Sequence, residues 1–262
     1  VIDGYLLDEF GKDTPITAIT AEAIEDYRDR LMANDRAPGQ GRGRKLSNRT
    51  IVRHLTVLHG IFKRAKRKWG LAENPASADM VERPRVVYTG EFDTFNRDEV
   101  ELLASCAASP QDAAIFRVAA YAGLRQGELL ALRWGRVDFL GGLLHVRKNY
   151  TGGEEKMPKG KRVRSVPMMP DVVTALASLK DREHFTGDDD LVFCDAVGGF
   201  VDHDDLRQRY YAALEKAGLR RIRFHDLRHA FGTAAITKLD PFAVQSYMGH
   251  QHYSTTQRYL HH

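Results

Sequence analysis

The C-terminal part of the chain gathers side chains that suit chemistry on a phosphate group. His225, Arg228, His229, His250 and Tyr259 fall within 35 residues. A guanidinium group presents a planar fork of donors to phosphate oxygens. A phenol becomes a nucleophile when a base or positive surroundings help to remove its proton. These residues therefore form a candidate site for phosphate chemistry.

The spacing of His225, Arg228 and His229 indicates how they are positioned. Residues three and four apart share one face of a helix, here at its N-terminal end. Backbone N–H groups at that end favour an anion such as phosphate. A purely structural interpretation stays open, because His225 would serve equally well as a cap and Arg228 would pair equally well with an acid.

The same two histidines have the spacing of a zinc-binding helix. Metallopeptidases of that kind carry Glu directly after the first His as general base, whereas this chain has Asp226, which is one methylene shorter. Arg228 between the two histidines favours an anionic ligand over a cation. No Cys-x-x-Cys pair is present. The sequence therefore predicts no metal site.

A second candidate region is strongly basic. From Arg36 to Ala72 there are eleven basic residues and no acidic one. Such a stretch is typical of proteins that bind the phosphate backbone of nucleic acids, although a solvated helix face is the alternative. The candidate DNA-binding residues are Arg42, Arg44, Lys45, Arg49, Arg53, Lys63, Arg64 and Arg67.

Helical patterns and a break organise the first part of the chain. Apolar periodicity predicts a short helix over residues 16–33, capped by Thr20. A longer helix begins after Ser47 and ends at Gly70. Its predicted apolar stripe is Ile51, Leu55, Leu58, Phe62, Ala65 and Trp69. We therefore expect residues 1–82 to form a helical domain and residues 83–93, which contain a helix-breaking Pro, to form a linker.

Residues 94–262 are expected to form a second, mixed domain. Alternating or apolar runs predict strands at 143–148 and 163–168, joined by a loop at 151–162, and a short strand at 191–193. Helices are predicted near 96–104, 111–122, 125–134, 171–179, 203–217, 226–238, 241–248 and 254–261. The expected fold class is mainly α with a small antiparallel β-sheet, in two domains.

Composition limits the possible classes of protein. A chain of 262 residues that is 43% hydrophobic can bury a sizeable core. It contains neither an apolar run long enough for a membrane span nor an N-terminal pattern typical of a secretory signal. Its two cysteines, Cys106 and Cys194, favour a reducing, cytoplasmic compartment. The start at Val1 suggests an excised piece of a longer protein.

Four segments in order resemble the signature boxes of the tyrosine recombinase (phage integrase) family. They are Ala122–Leu129 (AGLRQGEL), His225–His229 (HDLRH), Met248–His250 (MGH) and Thr256–His261 (TQRYLH). The Tyr stands nine residues after the His of the Gly-His pair, as in the family. The sequence Met157-Pro158-Lys159-Gly160 before Val166-Pro167-Met168 is similar to the family's lysine motif, but Gly160 replaces the usual Thr. Lys159 is therefore the candidate, with Lys156 and Lys161 as alternatives.

The resemblance implies a role for each residue. Tyr259 would attack DNA and form a 3′-phosphotyrosyl link, without metal, ATP or another cofactor. Arg125 and Arg228 would bind the phosphate, and Lys159 would protonate the leaving 5′-oxygen. His225 would assist proton transfer and His250 would hydrogen-bond the phosphate. The resemblance leaves supporting roles for Glu128 and His229.

The implied partners follow from the same resemblance. The family acts on double-stranded DNA at attachment or crossover sites and mobilises phages or mobile elements. Its members work in a synaptic homotetramer, in some cases with accessory DNA-bending proteins. We expect no membrane partner. The two domains would clamp DNA, with the arginines at 207, 220, 221 and 223 forming part of one jaw. The alternatives are DNA relaxation of the type IB topoisomerase kind and a non-catalytic DNA-binding module.

Other tyrosines and the chain ends complete the expectations. Tyr253 is the alternative nucleophile, whereas Tyr210 and Tyr211 lie on an amphipathic pattern that indicates packing. Relatives often carry an N-terminal arm-binding domain, for which this chain has no room. They usually continue with a C-terminal tail, whereas this chain ends three residues after Tyr259.

Overall fold

The computed structural model describes residues 2–34, 45–87, 93–158 and 163–261. The chain divides into two compact units, Val1–Thr89 and Gly90–His262. Helices predominate and the strands are short and antiparallel. This confirms the fold class that the sequence predicts, mainly α with a small antiparallel sheet.

The first unit is helical in the residues that the structure describes. Its elements are a π-helical turn (Ile2–Leu6), α1 (Leu7–Phe10), a 3-10 turn (Ile16–Ala18), α2 (Ala21–Ala33) and α3 (Asn48–Trp69). The Thr20 hydroxyl accepts a hydrogen bond from Ala23 N, and Ser47 caps α3 in the same way, so both predicted N-caps are confirmed. Gly70 ends α3 in the left-handed conformation (φ 70°), which glycine adopts without strain.

Helix α3 has a buried face and a basic face on opposite sides. Its buried residues are Ile51, His54, Leu55, Leu58, Phe62 and Ala65. Of these, Ile51, Leu55, Leu58 and Phe62 pack in one cluster with residues of α2. Residues three, four or seven apart share a helix face, and Arg49, Arg53, Lys63, Arg64 and Arg67 follow that spacing on the other side. The prediction that Trp69 continues the apolar stripe is wrong, because Trp69 is 63% exposed at the helix end.

The second unit is built around helix α5. Its helices are α4 (Arg97–Ser105), α5 (Pro110–Ala122), α6 (Gln126–Leu130), α7 (Pro170–Lys180), α8 (His203–Lys216), α9 (Leu227–Ile236), α10 (Pro241–Met248) and α11 (Tyr253–Thr256). Most of α5 is buried, and it contacts α4, α7 and α9. Burying so much apolar surface on one helix is the main stabilising contribution to this unit. The 3-10 turns are Trp134–Arg136, Phe224–Asp226 and Gln257–His261.

The strands form two small antiparallel sheets. Their bounds are β1 (Val137–Asp138), β2 (Leu143–Val146), β3 (Asn149–Thr151), β4 (Glu154–Lys156) and β5 (Arg164–Pro167). One sheet has the order β1-β2-β5, and β3 pairs with β4 in a separate hairpin. The sequence predicts a plain loop at 151–162, which is wrong for the part that the hairpin occupies. Residues 159–162 lie outside the described residues.

Three other predictions differ from the structure. The helix expected to end near Trp134 ends at Leu130. The helix expected at 254–261 tightens into a 3-10 turn from Gln257. The strand expected at 191–193 is reduced to an isolated antiparallel bridge between Leu191 and Arg133. The Leu191 and Val192 carbonyls accept hydrogen bonds from the Arg182 guanidinium, so a side chain satisfies backbone groups that a longer strand pairing would bind.

Candidate active site

Tyr259 lies inside the second unit. It is 2% exposed and belongs to the core that surrounds α5. Its ring packs against Gly232 of α9, where a Cβ atom would overlap the ring. The Tyr259 hydroxyl lies 2.7 Å from Nδ1 of His229. The alternative nucleophile, Tyr253, instead stacks on Phe242 with ring centroids 5.1 Å apart.

His250 is fixed beside Tyr259 by the end of α10. Gly249 ends that helix in the left-handed conformation (φ 63°), and His250 follows at once. The His250 ring lies parallel to the Tyr259 ring, with centroids 6.3 Å apart, and its Nδ1 is 2.9 Å from the Thr256 hydroxyl. Burial, followed by the charge of Arg228, lowers the pKa of His250 to about 3, so the ring is neutral at physiological pH.

Arg228 is buried beneath these two rings. Its side chain is 3% exposed, and its guanidinium donates to the carbonyls of Gly123 and Met248. The nearest carboxylate oxygen, on Glu128, is 4.0 Å away. Desolvation, followed by the neighbouring charge of Arg125, lowers the pKa of Arg228. Arg228 therefore makes only a long ion pair with Glu128, and its hydrogen bonds go to backbone carbonyls.

Arg125 is held by Glu128 and by the end of α10. Glu128 accepts hydrogen bonds from the Arg125 backbone N and from its guanidinium, both at 2.9 Å. The Arg125 guanidinium also donates to the Gly249 carbonyl at 3.0 Å. These contacts hold Arg125 beside the peptide that precedes His250, although 124 residues of sequence separate Arg125 from Gly249.

The sequence reasoning missed Arg164, on strand β5. Arg164 binds both carboxylate oxygens of Glu128 at 2.7 and 3.0 Å, and its Nε donates to the Tyr247 carbonyl at 2.6 Å. Burial alone raises the pKa of Glu128, but the hydrogen bonds and charge of Arg164 and the charge of Arg125 lower it to about 2. The only sequence signal for Arg164 was a cation within a strand that has an otherwise apolar, inward face.

The central cluster, defined as Arg125, Glu128, Arg164 and Arg228, carries an excess of positive charge. Three guanidinium groups lie within 4.0 Å of a single carboxylate. His250, next to them, is neutral. Three guanidinium charges and one carboxylate charge therefore leave a local charge of about +2. Uncompensated charge inside a protein is unfavourable, so the excess positive charge of the cluster favours an anion beside it.

The other predicted proton-transfer residues have different placements. His225 belongs to the 3-10 turn before α9 and keeps a solvent-exposed edge, with its ring centroid 5.9 Å from that of His229. Partial desolvation and the charge of Arg228 lower its pKa. The preferred lysine, Lys159, and the alternative Lys161 lie outside the described residues. Lys156 is paired with Glu154 at 2.7 Å.

Six of the predicted DNA-binding residues are described, and all six are exposed. Lys45 precedes α3, and the other five lie along its basic face; Arg42 and Arg44 are outside the described residues. The arginines at 207, 220, 221 and 223, expected to form part of the other jaw, carry less unpaired positive charge than the sequence suggests. Arg207, Arg220 and Arg223 pair with the carboxylates of Asp204, Asp93 and Asp226, and Arg221 lies over the Tyr211 ring.

The described part of the chain contains neither a cluster of metal ligands nor a helix that could span a membrane. Among residues 2–34, 45–87, 93–158 and 163–261, no group of three His, Cys, Asp or Glu side chains is arranged to hold a metal ion. Within the same residues, no helix has both the length and the apolar character needed to span a membrane.

The buried phenol, the neutral imidazoles and the clustered arginines together suit chemistry on a phosphate group. The sequence model of the phage integrase family matches residues 94–262. The chain belongs to that family. This confirms the resemblance seen in the four sequence segments.

Individual relatives agree with this assignment. A tyrosine recombinase XerC-like protein of Caldanaerobacter subterraneus subsp. tengcongensis is 27% identical over 80% of this chain and 61% of its own length. A tyrosine recombinase XerC of Xylella fastidiosa is 27% identical over 99% of this chain and 87% of its own length. The solved integrase of transposon Tn1549, in complex with a circular intermediate DNA, has the same fold. It superposes with a TM-score of 0.68 at 22% identity, over 94% of this chain and 82% of that structure.

Proposed function

We propose that this chain is a site-specific DNA recombinase that cleaves and rejoins duplex DNA through a 3′-phosphotyrosyl link on Tyr259. Family membership and the recombinase relatives support this enzyme class. The single observation that carries the chemistry is the central cluster, with its charge of about +2, next to the buried Tyr259. The proposed biological setting is integration or excision of a phage or mobile element.

The proposed reaction proceeds by exchange of phosphate esters. The Tyr259 oxygen attacks the scissile phosphorus, and the bond from phosphorus to the 5′-oxygen breaks. Arg125 and Arg228 bind the non-bridging oxygens and stabilise the negative charge that develops in the transition state. Lys159 donates the proton that the leaving 5′-oxygen needs. Each step replaces one phosphoester with another, so neither ATP nor another cofactor is consumed.

His225 and His250 assist this reaction in the proposal. His250 lies next to the Tyr259 ring and can donate a hydrogen bond to a phosphate oxygen from Nε2, since its Nδ1 is occupied by Thr256. His225 faces solvent at the start of α9, where it can exchange protons with bound DNA. Glu128 does not contact the phosphate in this proposal, and orients Arg125.

The first unit supplies contacts with the DNA backbone in this proposal. Arg49, Arg53, Lys63, Arg64 and Arg67 on α3 would bind phosphates, so affinity should fall steeply with salt. Residues 1–82 would act as a DNA-binding domain, 83–93 as a linker and 94–262 as the catalytic domain. Recombination also requires a synaptic homotetramer and, at some sites, accessory DNA-bending proteins. The proposed location is the bacterial nucleoid.

A nicked suicide substrate tests the proposal. Cleavage of this substrate releases the short strand between the cleavage site and the nick. Without that strand the enzyme cannot rejoin the DNA, so the covalent protein–DNA adduct accumulates and can be seen on a denaturing gel. The wild-type chain should form the adduct, and Tyr259→Phe should bind the DNA without forming it. An adduct that persists in Tyr259→Phe would refute Tyr259 as nucleophile. Supercoil relaxation without exchange between two sites would favour a topoisomerase instead.

A further inference from the structure

The proposed reaction leaves the proton of the Tyr259 phenol without an acceptor. A phenol has an ordinary pKa of about 10, so it is protonated at physiological pH and is a weak nucleophile. Arginine and lysine side chains carry protons and cannot take another. The acceptor must therefore be a neutral base within hydrogen-bonding distance of the phenol.

His229 meets this requirement by its position. Its Nδ1 lies 2.7 Å from the Tyr259 hydroxyl. The other histidine next to Tyr259, His250, is stacked parallel to the phenol ring and has its Nδ1 on Thr256. His225 is one turn away, 5.9 Å from His229 between ring centroids. Among the histidines that the structure describes, the geometry therefore singles out His229 as the base in hydrogen-bonding distance of the reacting oxygen.

Asp226 lies beyond hydrogen-bonding distance of His229, but its charge favours the tautomer that this role needs. Its Oδ1 lies 3.9 Å from His229 Nε2, on the side of the ring opposite Tyr259. Burial raises the pKa of Asp226, but hydrogen bonds from Arg223 outweigh it and lower the pKa. The carboxylate is therefore charged and acts only as a hydrogen-bond acceptor. A negative group on that side favours the hydrogen on Nε2, which leaves the Nδ1 lone pair directed at the phenol.

The charge state of His229 also suits a proton acceptor. Burial, followed by the charge of His225, lowers its pKa to about 4, which leaves the ring neutral before DNA binds. The ionisable groups that face it include His225, Asp226, Arg228, Arg223, His250 and Tyr259. A bound phosphodiester adds negative charge beside it, which raises the pKa and makes the imidazole a stronger base during the reaction.

We infer that His229 is the general base for strand cleavage, with Asp226 as its positioning residue, an assignment that rests on the function proposed above. In cleavage, Nδ1 takes the phenolic proton as the Tyr259 oxygen bonds to phosphorus, and the 5′-oxygen leaves with a proton from the general acid. In rejoining, the 5′-hydroxyl returns its proton to the deprotonated general acid as its oxygen attacks phosphorus. The Tyr259 oxygen then leaves and recovers its proton from His229.

The test begins with His229→Asn in the full chain. The Asn side-chain amide can keep a hydrogen bond to Tyr259 in place of Nδ1, but it cannot take a proton. We expect adduct formation on the suicide substrate to slow by about a hundredfold or more, with unchanged DNA affinity. His184→Asn, at a side chain that is 73% exposed, is the matched control and should react at the wild-type rate.

Two further measurements distinguish proton transfer from mere positioning. Fluorinated tyrosine at position 259 lowers the phenol pKa, so the defect of His229→Asn should shrink as the phenol becomes more acidic. A substrate with a 5′-bridging sulfur has a leaving group that needs no proton. The defect of His229→Asn should persist on this substrate, whereas a defect in the general acid should disappear.

Each outcome bears on one assignment. If His229→Asn forms the adduct at the wild-type rate or faster, His229 is not the general base. Its contact with Tyr259 would then only hold the phenol in place. A defect that is the same for every fluorinated phenol would also overturn it. If the wild-type chain itself forms no adduct, the proposed function fails, and that result is distinct from both.

Discussion

Replacement of Glu128 by Gln gives the sharpest physical test of the central cluster. Gln keeps the shape of Glu but loses the charge that faces Arg125, Arg164 and Arg228. The pKa of Glu128 falls from an ordinary 4.5 to about 2 in the folded chain. At about 1.4 kcal/mol per pKa unit, this fully buried carboxylate contributes about 3 kcal/mol to the free energy of unfolding at pH 7.

The contribution has a defined pH dependence. A carboxyl group with a lowered pKa stabilises the fold fully at pH values above its unfolded pKa, and the stabilisation is lost as the pH falls through the folded pKa. Here the difference between wild type and Glu128→Gln should be about 3 kcal/mol at pH 7 and about 2 kcal/mol at pH 3.5. It should continue to shrink towards pH 2.

Urea unfolding followed by tryptophan fluorescence measures this difference. Trp134 is 3% exposed in the second unit and reports on it, so the measurement uses a Trp69→Phe background to remove the exposed tryptophan of the first unit. Glu183→Gln, at a side chain that is 89% exposed, is the control and should change stability by less than about 0.5 kcal/mol. A loss below about 1 kcal/mol at pH 7, or a difference that does not change with pH, would refute the charge assignment.

Substitutions at three other positions have defined outcomes. Arg228→Ala should slow adduct formation on a suicide substrate by about a hundredfold or more, because it removes a donor to the transition state; a near-normal rate would contradict that role. Gly232→Ala should displace the Tyr259 ring and lower the adduct rate while filter-binding affinity for DNA stays constant; equal loss of both would contradict the packing account. Gly60 lies within the basic face of α3 with open space around it, so Gly60→Ala should raise the unfolding free energy by about 0.5–1 kcal/mol. Gly60→Glu should weaken DNA binding, because the added carboxylate repels the phosphate backbone. Unchanged DNA affinity of Gly60→Glu would count against a DNA-binding role for this face.

The elements that local chemistry controls were predictable from the sequence. Thr20, Ser47 and Asn96 cap helices as their residue types predict, and Gly70 and Gly123 end helices in the left-handed conformation. These outcomes depend on contacts within four residues along the chain. The buried stripe of α3 follows equally from its periodicity, except at the exposed end.

The site was only partly predictable, because its decisive contacts join distant parts of the chain. The ordered segments marked the residues to examine, but the pairing of Arg164 with Glu128 spans 36 residues and has no local signal. The strand expected at 191–193 is limited to one bridge with Arg133, and the Arg182 side chain binds the neighbouring carbonyls. His229 illustrates the same limit, because its spacing placed it near the site but could not reveal its contact with Tyr259.

The most direct measurement of the central claim identifies the residue that becomes bonded to DNA. The adduct trapped on a suicide substrate is digested with nuclease and protease, and the peptide that carries the nucleotide is sequenced by mass spectrometry. Our account predicts a 3′-phosphotyrosyl link on Tyr259 and a free 5′-hydroxyl on the released strand. A link to Tyr253, a 5′-phosphotyrosyl bond or the absence of any adduct would contradict it.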